Sequence, residues 1–342
     1  MKNQTKNTLT YGVIVLTAAN LLVKVIGLVF KIPIQGLIHD EGMGYFNVAY
    51  TIYSWLYLLS TAGLPVALSV MISGERAKGE LGNTRTVFST ALSVFALIGA
   101  VGALSMMIFA RDIAAFVEVE NAYLCALAIS PTLFFICISS AVRGYFQGLG
   151  VMTVTAASQV IESVGKMAFG LLLASYSVSQ GHPLYVTAAF AISGVSIGTF
   201  ASMLYCLVSK GALSPKATTE SNIRRSSVLK KLVSIALPIT VSSSVMGLMN
   251  VIDTVIAPSR LQDIGYTATQ ATEIYGNYTT LAVSLFNMPT VLVYPIAYAL
   301  VPKLTEMLTL GKDGRGLITS SIKTTSVISL PCAVGLGVLS LP

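Results

Sequence analysis

The stretch "NLLVKVIGLVFKIPI", residues 20–34, sets the class of fold, because it is almost wholly apolar and continues a run that begins near residue 10. An apolar run longer than about 18 residues, without strict alternation, predicts a membrane-spanning helix rather than a barrel strand. Two lysines, Lys24 and Lys31, interrupt this run seven positions apart. A lysine at the centre of a spanning helix costs about 2.5–3.5 kcal/mol on insertion scales, so these charges need a specific environment.

The rest of the chain has the same character. Of its 342 residues, 54% are hydrophobic and 10% are charged, and the mean hydropathy is +0.77. Soluble proteins carry about 25% charged residues, and inside a bilayer helices satisfy their own backbone hydrogen bonds. We therefore predict an all-α polytopic membrane protein. Nine apolar segments predict its spans: 10–31, 44–72, 87–110, 123–142, 151–176, 184–208, 231–257, 276–301 and 317–341.

The distribution of positive charge predicts the orientation. If the N-terminus is cytoplasmic, most of the 21 lysines and arginines fall in loops on the cytoplasmic side, as the positive-inside rule requires. We predict a multi-pass protein of the cytoplasmic membrane with its N-terminus inside the cell. The net charge of +7 arises mainly from this bias, so the expected partners are anionic membrane lipids and not nucleic acid.

An internal repeat predicts the domain organisation. A shift of 230 residues places Asn47 on Asn277 and Pro65 on Pro295, and it lays the first three spans on the seventh to ninth. Parallel repeats of this kind build transporters whose substrate site lies between the halves.

The repeat divides the chain into three parts. We predict an N-terminal six-helix lobe at 1–208, a basic cytoplasmic linker at 209–230, and a C-terminal lobe at 231–342. Only three spans are predicted after the linker, so we expect the second lobe to be incomplete and the chain to be truncated.

The lysines of the first span share a face. At 100° per residue, Asn20, Lys24 and Lys31 project from one side of a helix. Lys24 lies too deep to reach the headgroups with ease, so we expect it to face a polar cavity. Lys31 either faces the same cavity or anchors the outer end of the helix by snorkelling.

Two further spans carry charge. Glu162 and Lys166 are four residues apart with the glutamate first, which is the favourable order for a helical ion pair. They form either a self-neutralised structural pair or a site for ion coupling or substrate contact. Asp253, in the seventh span, can bind a cation, pair with Lys24, or make an ordinary interhelical pair.

The second and eighth spans carry polar faces without charge, which include Asn47 and Asn277. Such residues hold helices together, and they can also line a passage for hydroxyl-rich sugars. The sequence has no nucleophile–base pair, no glycine-rich phosphate loop and no metal-ligand spacing. We therefore predict that the protein is not an enzyme and has no cofactor. Na⁺ or H⁺ coupling, or the membrane potential, would supply the energy for transport.

Several stretches, in this order, are together similar to one superfamily. The apolar stretch of the first span, with its two lysines, is followed by "DEGMGYFNVAYTIYSWLYLLSTAGLPVALS" at 40–69, "RGYFQG" at 143–148 in the loop after the fourth span, "SQVIE" at 158–162 and "LMNVIDTVIAPSRL" at 248–261. They resemble the multidrug/oligosaccharidyl-lipid/polysaccharide (MOP) exporter superfamily, in its polysaccharide branch of stage V sporulation protein B-like and lipid II flippase-like proteins. The resemblance covers nearly the whole chain.

The resemblance implies a MOP/MATE-like helical bundle whose two six-helix lobes open alternately to either side of the membrane. It implies a substrate in which a saccharide, a precursor of peptidoglycan or polysaccharide, is linked to undecaprenyl pyrophosphate. It also implies a central cationic cavity to which Lys24 and Lys31 contribute, although lysine lacks the bidentate fork of the arginine common in relatives. Lipid II flippases carry further arginines where this chain has Tyr57 and Asn277, so the saccharide itself stays open.

Two other functions remain alternatives. One is a Na⁺- or H⁺-coupled multidrug antiporter of the same superfamily, with Glu162 or Asp253 as the ion site. Lysines in the first helix disfavour this alternative, because they would repel cationic drugs. The other is a non-transporting membrane scaffold that recruits enzymes of envelope synthesis.

Overall fold

The computed structural model describes residues 2–116, 120–213, 221–267, 274 and 286–339. These residues are almost entirely helical, and no β-strand occurs among them. The α-helices are α1 (Lys2–Thr61), α2 (Leu64–Ala77), α3 (Leu81–Ile108), α4 (Ala110–Phe116), α5 (Tyr123–Ile129), α6 (Pro131–Gly148), α7 (Thr153–Ser179), α8 (Leu184–Leu213), α9 (Arg225–Asp263), α10 (Met288–Thr309) and α11 (Arg315–Leu339).

Within the described residues, 7 helical segments are long and apolar enough to cross a membrane. They coincide with seven of the nine predicted spans, so the prediction of an all-α polytopic membrane protein is confirmed. The predicted fifth span corresponds to α7, whose 27 residues are long enough to cross but include Glu162 and Lys166. The predicted eighth span overlaps α10, while its first part, with Asn277, lies outside the described residues.

The first span is longer than the predicted 10–31. Its helix continues through Pro33 to His39, where the backbone turns sharply (φ 54°, ψ −174°) before α1 resumes. Residues 32–38 are mainly apolar, and a spanning helix tolerates proline when its neighbours satisfy the freed backbone groups. Lys31 therefore lies eight residues, or about 12 Å, before the break and not at the end of the span.

The stretch "RGYFQG", predicted to lie in a loop, is the last part of α6. The helix ends only after Gly148, and the chain turns at Gly150, whose φ of 79° is readily adopted by glycine. Arg143 consequently lies inside a spanning helix and is only 8% exposed. This placement matters for the site, because Arg143 is a buried charge within a helix and not a cation of a loop.

Helices α7 and α8 pack with their backbones in contact. A Cβ atom on Gly198 of α8 would lie 2.5 Å from the carbonyl oxygen of Glu162 and 2.5 Å from the backbone nitrogen of Lys166. A Cβ on Gly165 would lie 2.6 Å from the Cα of Gly198. Small residues allow this close approach in membrane bundles. The contact fixes the height at which Glu162 and Lys166 leave α7.

The later helices pack against the earlier ones. Val228, Leu232 and Ala236 of α9 are buried in the same apolar cluster as residues of α2, α3 and α6. Gly63, between α1 and α2, approaches α9 so closely that a Cβ there would lie 2.6 Å from the Thr240 hydroxyl. Helix α10 packs against α1 and α2.

The predicted linker at 209–230 is partly helical, since α8 ends at Leu213 and α9 begins at Arg225. The division into two lobes with this linker between them stays a prediction.

Candidate functional site

A cavity of about 260 Å³ lies between α1, α7 and α8. Its charged lining residues are Lys24, Glu162 and Lys166, and its aromatic lining residues are Phe30, Tyr50 and Tyr53. The two charged motifs that the sequence presents separately, one in the first span and one in the fifth, therefore meet at one place. The break at His39 makes this possible, because α1 contributes residues from both sides of it.

The ammonium group of Lys166 lies over two aromatic rings. Its Nζ is 4.6 Å from the ring centroid of Tyr50 and 5.5 Å from that of Phe30. Both distances are within the range of a cation–π interaction, in which the electron-rich ring face attracts the cation. Such an interaction holds the ammonium group without neutralising its charge, so Lys166 presents a full positive charge at the cavity wall.

The carboxylate of Glu162 is paired with Arg143. Arg143 Nη2 lies 2.8 Å from Glu162 Oε2. The same nitrogen donates to the Ser202 hydroxyl at 2.9 Å, and Nε donates to the Ser158 hydroxyl at 2.8 Å. A buried charge is tolerated when it is paired and its remaining donors are hydrogen-bonded. Nε and Nη2 of Arg143 are bound in this way by oxygens of α7 and α8.

This pairing differs from the one that the i, i+4 spacing predicts. In the described part of the chain Glu162 forms its ion pair with Arg143 and not with Lys166. Sequence reasoning missed Arg143 because the count of loop charges assigned it to the cytoplasmic side. A signal was present, since Glu162 inside a span requires a cationic partner, and the apolar segment before Arg143 runs into "RGYFQG" without a turn residue other than glycine.

The remaining predicted site residues lie elsewhere. Lys31 and Asn47 are exposed, Asn20 is half-buried, and none of the three lines the cavity. Asp253 on α9 is exposed, and among the described residues it pairs neither with Lys24 nor with another cation. Asn277 lies outside the described residues. The structure thus brings together Lys24, Glu162 and Lys166 from the predicted set.

Among the described residues, no group of three or more His, Cys, Asp or Glu side chains is placed to hold a metal ion.

A second cavity, of about 220 Å³, lies where α10 meets α1 and the turn between α6 and α7. It includes Gly12, which precedes Lys24 by twelve residues, or about 18 Å along α1. The cations in its wall are already engaged. Arg76 donates to the Leu149 carbonyl, and Lys303 donates to Glu306 at 2.9 Å. This region joins the later helices to the earlier ones, and both of these cations already have partners within the protein.

The fold is that of MOP-superfamily transporters. The structure of the MATE multidrug transporter DinF-BH, solved as a complex, matches with a TM-score of 0.73 at 16% identity, over 97% of this chain and 72% of that one. A MOP superfamily transporter from Pyrococcus furiosus matches with a TM-score of 0.64 at 15% identity, over 96% of this chain and 70% of that one. At these identities the similarity shows the fold alone.

The family follows from the sequence comparison. The family model for polysaccharide biosynthesis proteins matches residues 9–308. This chain belongs to that family, and its resemblance to the polysaccharide branch of the superfamily is confirmed.

Two relatives come from Bacillus subtilis (strain 168). Stage V sporulation protein B is 28% identical, over 88% of this chain and 59% of its own length. Lipid II flippase MurJ is 25% identical, over 97% of this chain and 64% of its own length. The chain thus spans about three fifths of the length of these curated relatives.

Proposed function

We propose that the protein exports a saccharide linked to undecaprenyl pyrophosphate, a precursor of peptidoglycan or polysaccharide, across the cytoplasmic membrane by alternating access. The observation that carries this proposal is the charge of the cavity between α1, α7 and α8. Lys24 and Lys166 both line it, and the one carboxylate among its described lining residues, Glu162, is already paired with Arg143. Within this described lining, the cavity therefore has two positive charges that no acidic side chain neutralises.

The chemistry of the cavity suits a pyrophosphate group. Lysine binds phosphate oxygens as a point charge, and the attraction is stronger in a site of low dielectric constant than in water. The three aromatic rings beside the lysines supply the apolar surface that small-molecule sites combine with a few polar groups. A cationic drug would meet repulsion from both ammonium groups, which argues against the multidrug antiporter.

The relatives support the same substrate class. One of them is named lipid II flippase, and the family as a whole is described by polysaccharide biosynthesis. The proposal includes a cytoplasmic N-terminus, anionic lipids as surrounding partners, and contacts with enzymes that make the envelope precursor. The saccharide is a precursor of either peptidoglycan or another polysaccharide. The proposal covers a role in sporulation as well as one in vegetative growth.

Reconstituted proteoliposomes test the proposal. A fluorescent saccharide linked to undecaprenyl pyrophosphate is incorporated in both leaflets, and its movement is followed by a membrane-impermeant quencher. We expect the protein to flip the lipid and Lys24→Met to lower the initial rate at least tenfold. Lys230→Met, an exposed lysine of α9 outside the cavity, is the matched control and should retain the rate.

Two results would overturn the proposal. If no pyrophosphate-linked saccharide is flipped while a cationic dye is exported in a Na⁺ or H⁺ gradient, the protein is an antiporter. If neither substrate moves, yet the protein retains envelope-synthesis enzymes on a column, it is a scaffold.

A further inference from the structure

Glu162 and Lys166 lie one helical turn apart on α7, yet each is engaged by another helix. A glutamate four residues before a lysine normally favours a direct ion pair. Here the Glu162 carboxylate is bound by Arg143 of α6 at 2.8 Å, and the Lys166 ammonium lies over Tyr50 and Phe30 of α1. The local pair is replaced by two tertiary contacts, and the lysine keeps its charge.

Arg143 is held in a fixed position by oxygens on two helices. Ser158 donates its own hydroxyl hydrogen to the Thr155 carbonyl at 2.7 Å, which leaves its lone pairs directed to the Arg143 guanidinium. Ser202 donates to the Ser158 carbonyl at 2.9 Å and accepts from Arg143. The hydroxyls therefore act as oriented acceptors. They fix the position of the Arg143 guanidinium, which in turn fixes the position of the Glu162 carboxylate.

We infer that Arg143 is a positioning residue that holds Glu162 away from Lys166 and thereby sets the anion preference of the cavity. The inference deepens the proposed function and rests on it for the identity of the transported anion. The effect of Arg143 on the electrostatic potential of the cavity does not depend on which anion is transported. Without Arg143, the carboxylate would have no partner from α6, and the nearest cation on its own helix face is Lys166.

The consequence for charge is twofold. Loss of Arg143 removes a positive charge next to the cavity, and it frees a carboxylate that can neutralise the ammonium of Lys166. Both changes make the cavity less favourable for anions. Loss of an arginine that served packing alone would also remove a positive charge, but it would leave Glu162 where it is, so the second effect is the one that distinguishes the inference.

The test measures the potential inside the cavity without the transported lipid. Ser163, which lines the cavity, is changed to cysteine in the protein whose four native cysteines are replaced by alanine. The rates of modification by an anionic sulfonatoethyl and a cationic trimethylammonium-ethyl methanethiosulfonate are then compared. Their ratio reports the sign and size of the local potential, which a packing defect alone does not change.

In this background, Arg143→Gln is expected to lower the rate of the anionic reagent roughly tenfold and to raise that of the cationic reagent by a similar factor, the effect of one unit charge about 10 Å away at an effective dielectric constant near 20. The anion-to-cation rate ratio should therefore fall roughly a hundredfold. Arg143→Gln combined with Glu162→Gln should return the ratio to within about twofold of the parent, on the same electrostatic argument. Arg143→Lys keeps the charge, and its rate ratio should lie between that of Arg143→Gln and that of the double variant. Lys230→Met is the control and should leave the ratio unchanged.

The action through Lys166 has its own test. The readout is a double-mutant cycle of Glu162→Gln and Lys166→Met, measured as the free energy of unfolding. The two substitutions should be nearly additive when Arg143 is present and should show a coupling energy in the Arg143→Gln protein, where the carboxylate can reach the ammonium. Additivity in both backgrounds would show that Arg143 does not act through this lysine, and an unchanged ratio in Arg143→Gln would overturn the inference entirely.

If Arg143→Gln fails to fold, as judged by its elution from a sizing column, Glu162→Gln provides the second variant. It removes a negative charge from the cavity wall and should raise the ratio, and an unchanged ratio would contradict the inference. These outcomes do not depend on flipping. If the protein does not flip the lipid but the modification ratios change as expected, the inference about Arg143 stands and the proposed function fails. If the lipid is flipped but the ratios do not change, the proposed function stands and the inference fails.

Discussion

The Glu162 carboxylate accepts a hydrogen bond of 2.8 Å from Arg143 of a neighbouring helix, although Lys166 stands one turn further along its own helix. Of the charged side chains described at the cavity, this relationship leaves Lys166 and Lys24 as the two that no carboxylate neutralises. It converts a motif that looks self-compensating in the sequence into part of a cationic site. The cationic character of the cavity depends on this arrangement.

The aromatic rings under Lys166 should matter for transport. Tyr50→Leu removes the nearer ring, at 4.6 Å, and allows the ammonium to move towards Glu162. Cation–π interactions contribute about 0.5–2 kcal/mol, so we expect the flipping rate to fall by roughly twofold to thirtyfold. Tyr50→Phe keeps the ring and should stay close to the parent rate. Equal losses in the two variants would indicate that the hydroxyl group, and not the ring face, is what matters.

The two lysines of the first span should differ. Lys24 lines the cavity and Lys31 does not, although both project from one helix face. Lys31→Met is expected to reduce flipping much less than Lys24→Met at equal membrane insertion. The initial flipping rates of the two variants provide the comparison. A larger loss for Lys31 would place the binding charge nearer the break at His39.

The contact between α7 and α8 should be sensitive to a single methyl group. A Cβ on Gly198 would lie 2.5 Å from backbone atoms of Glu162 and Lys166, so Gly198→Ala must separate the helices. Overpacking of this kind costs about 1–3 kcal/mol, which should appear as a lower free energy of unfolding in a detergent titration. Gly211→Ala is the matched control, because an added Cβ at this position of the same helix would have no atom of another segment within 4 Å. Similar stabilities of both variants would refute the close contact.

Asn83 should anchor the chain just before α9. Its buried side-chain oxygen accepts hydrogen bonds from the Ser221 hydroxyl at 3.2 Å and the Asn222 backbone at 3.0 Å. Asn83→Ala removes this acceptor; because Ser221 and Asn222 are exposed and can bind water instead, the loss is that of ordinary hydrogen bonds, about 0.5–1.5 kcal/mol each. Trypsin cleavage after Arg224 should therefore accelerate several-fold, as followed on a denaturing gel. Asn287→Ala, at the exposed start of α10, should leave the cleavage rate unchanged.

Much of the fold could be predicted from the sequence, because long apolar runs have few alternatives in a membrane. The extent of the first span could not. Pro33 suggests an earlier end, whereas the helix continues to His39, with Ile34 and Ile38 buried in an apolar cluster that includes residues of other helices. A span predicted from local residues alone does not take account of packing against helices that are distant in the sequence.

The site was predictable only in part, for a similar reason. The positions of Lys24, Glu162 and Lys166 stand out in the sequence as charges in apolar segments. Which charge meets which is a question of contacts between helices distant in the chain. The i, i+4 rule describes an isolated helix, and Arg143 overrides it from 19 residues away.

The most direct test of the central claim compares two lipids that carry the same saccharide, one through pyrophosphate and one through an uncharged glycerol link. Proteoliposomes with the parent protein should flip the pyrophosphate lipid at least ten times faster than the uncharged lipid. In the double variant Lys24→Met/Lys166→Met that preference should disappear. An undiminished preference in the double variant would contradict the claim that these two lysines recognise the pyrophosphate.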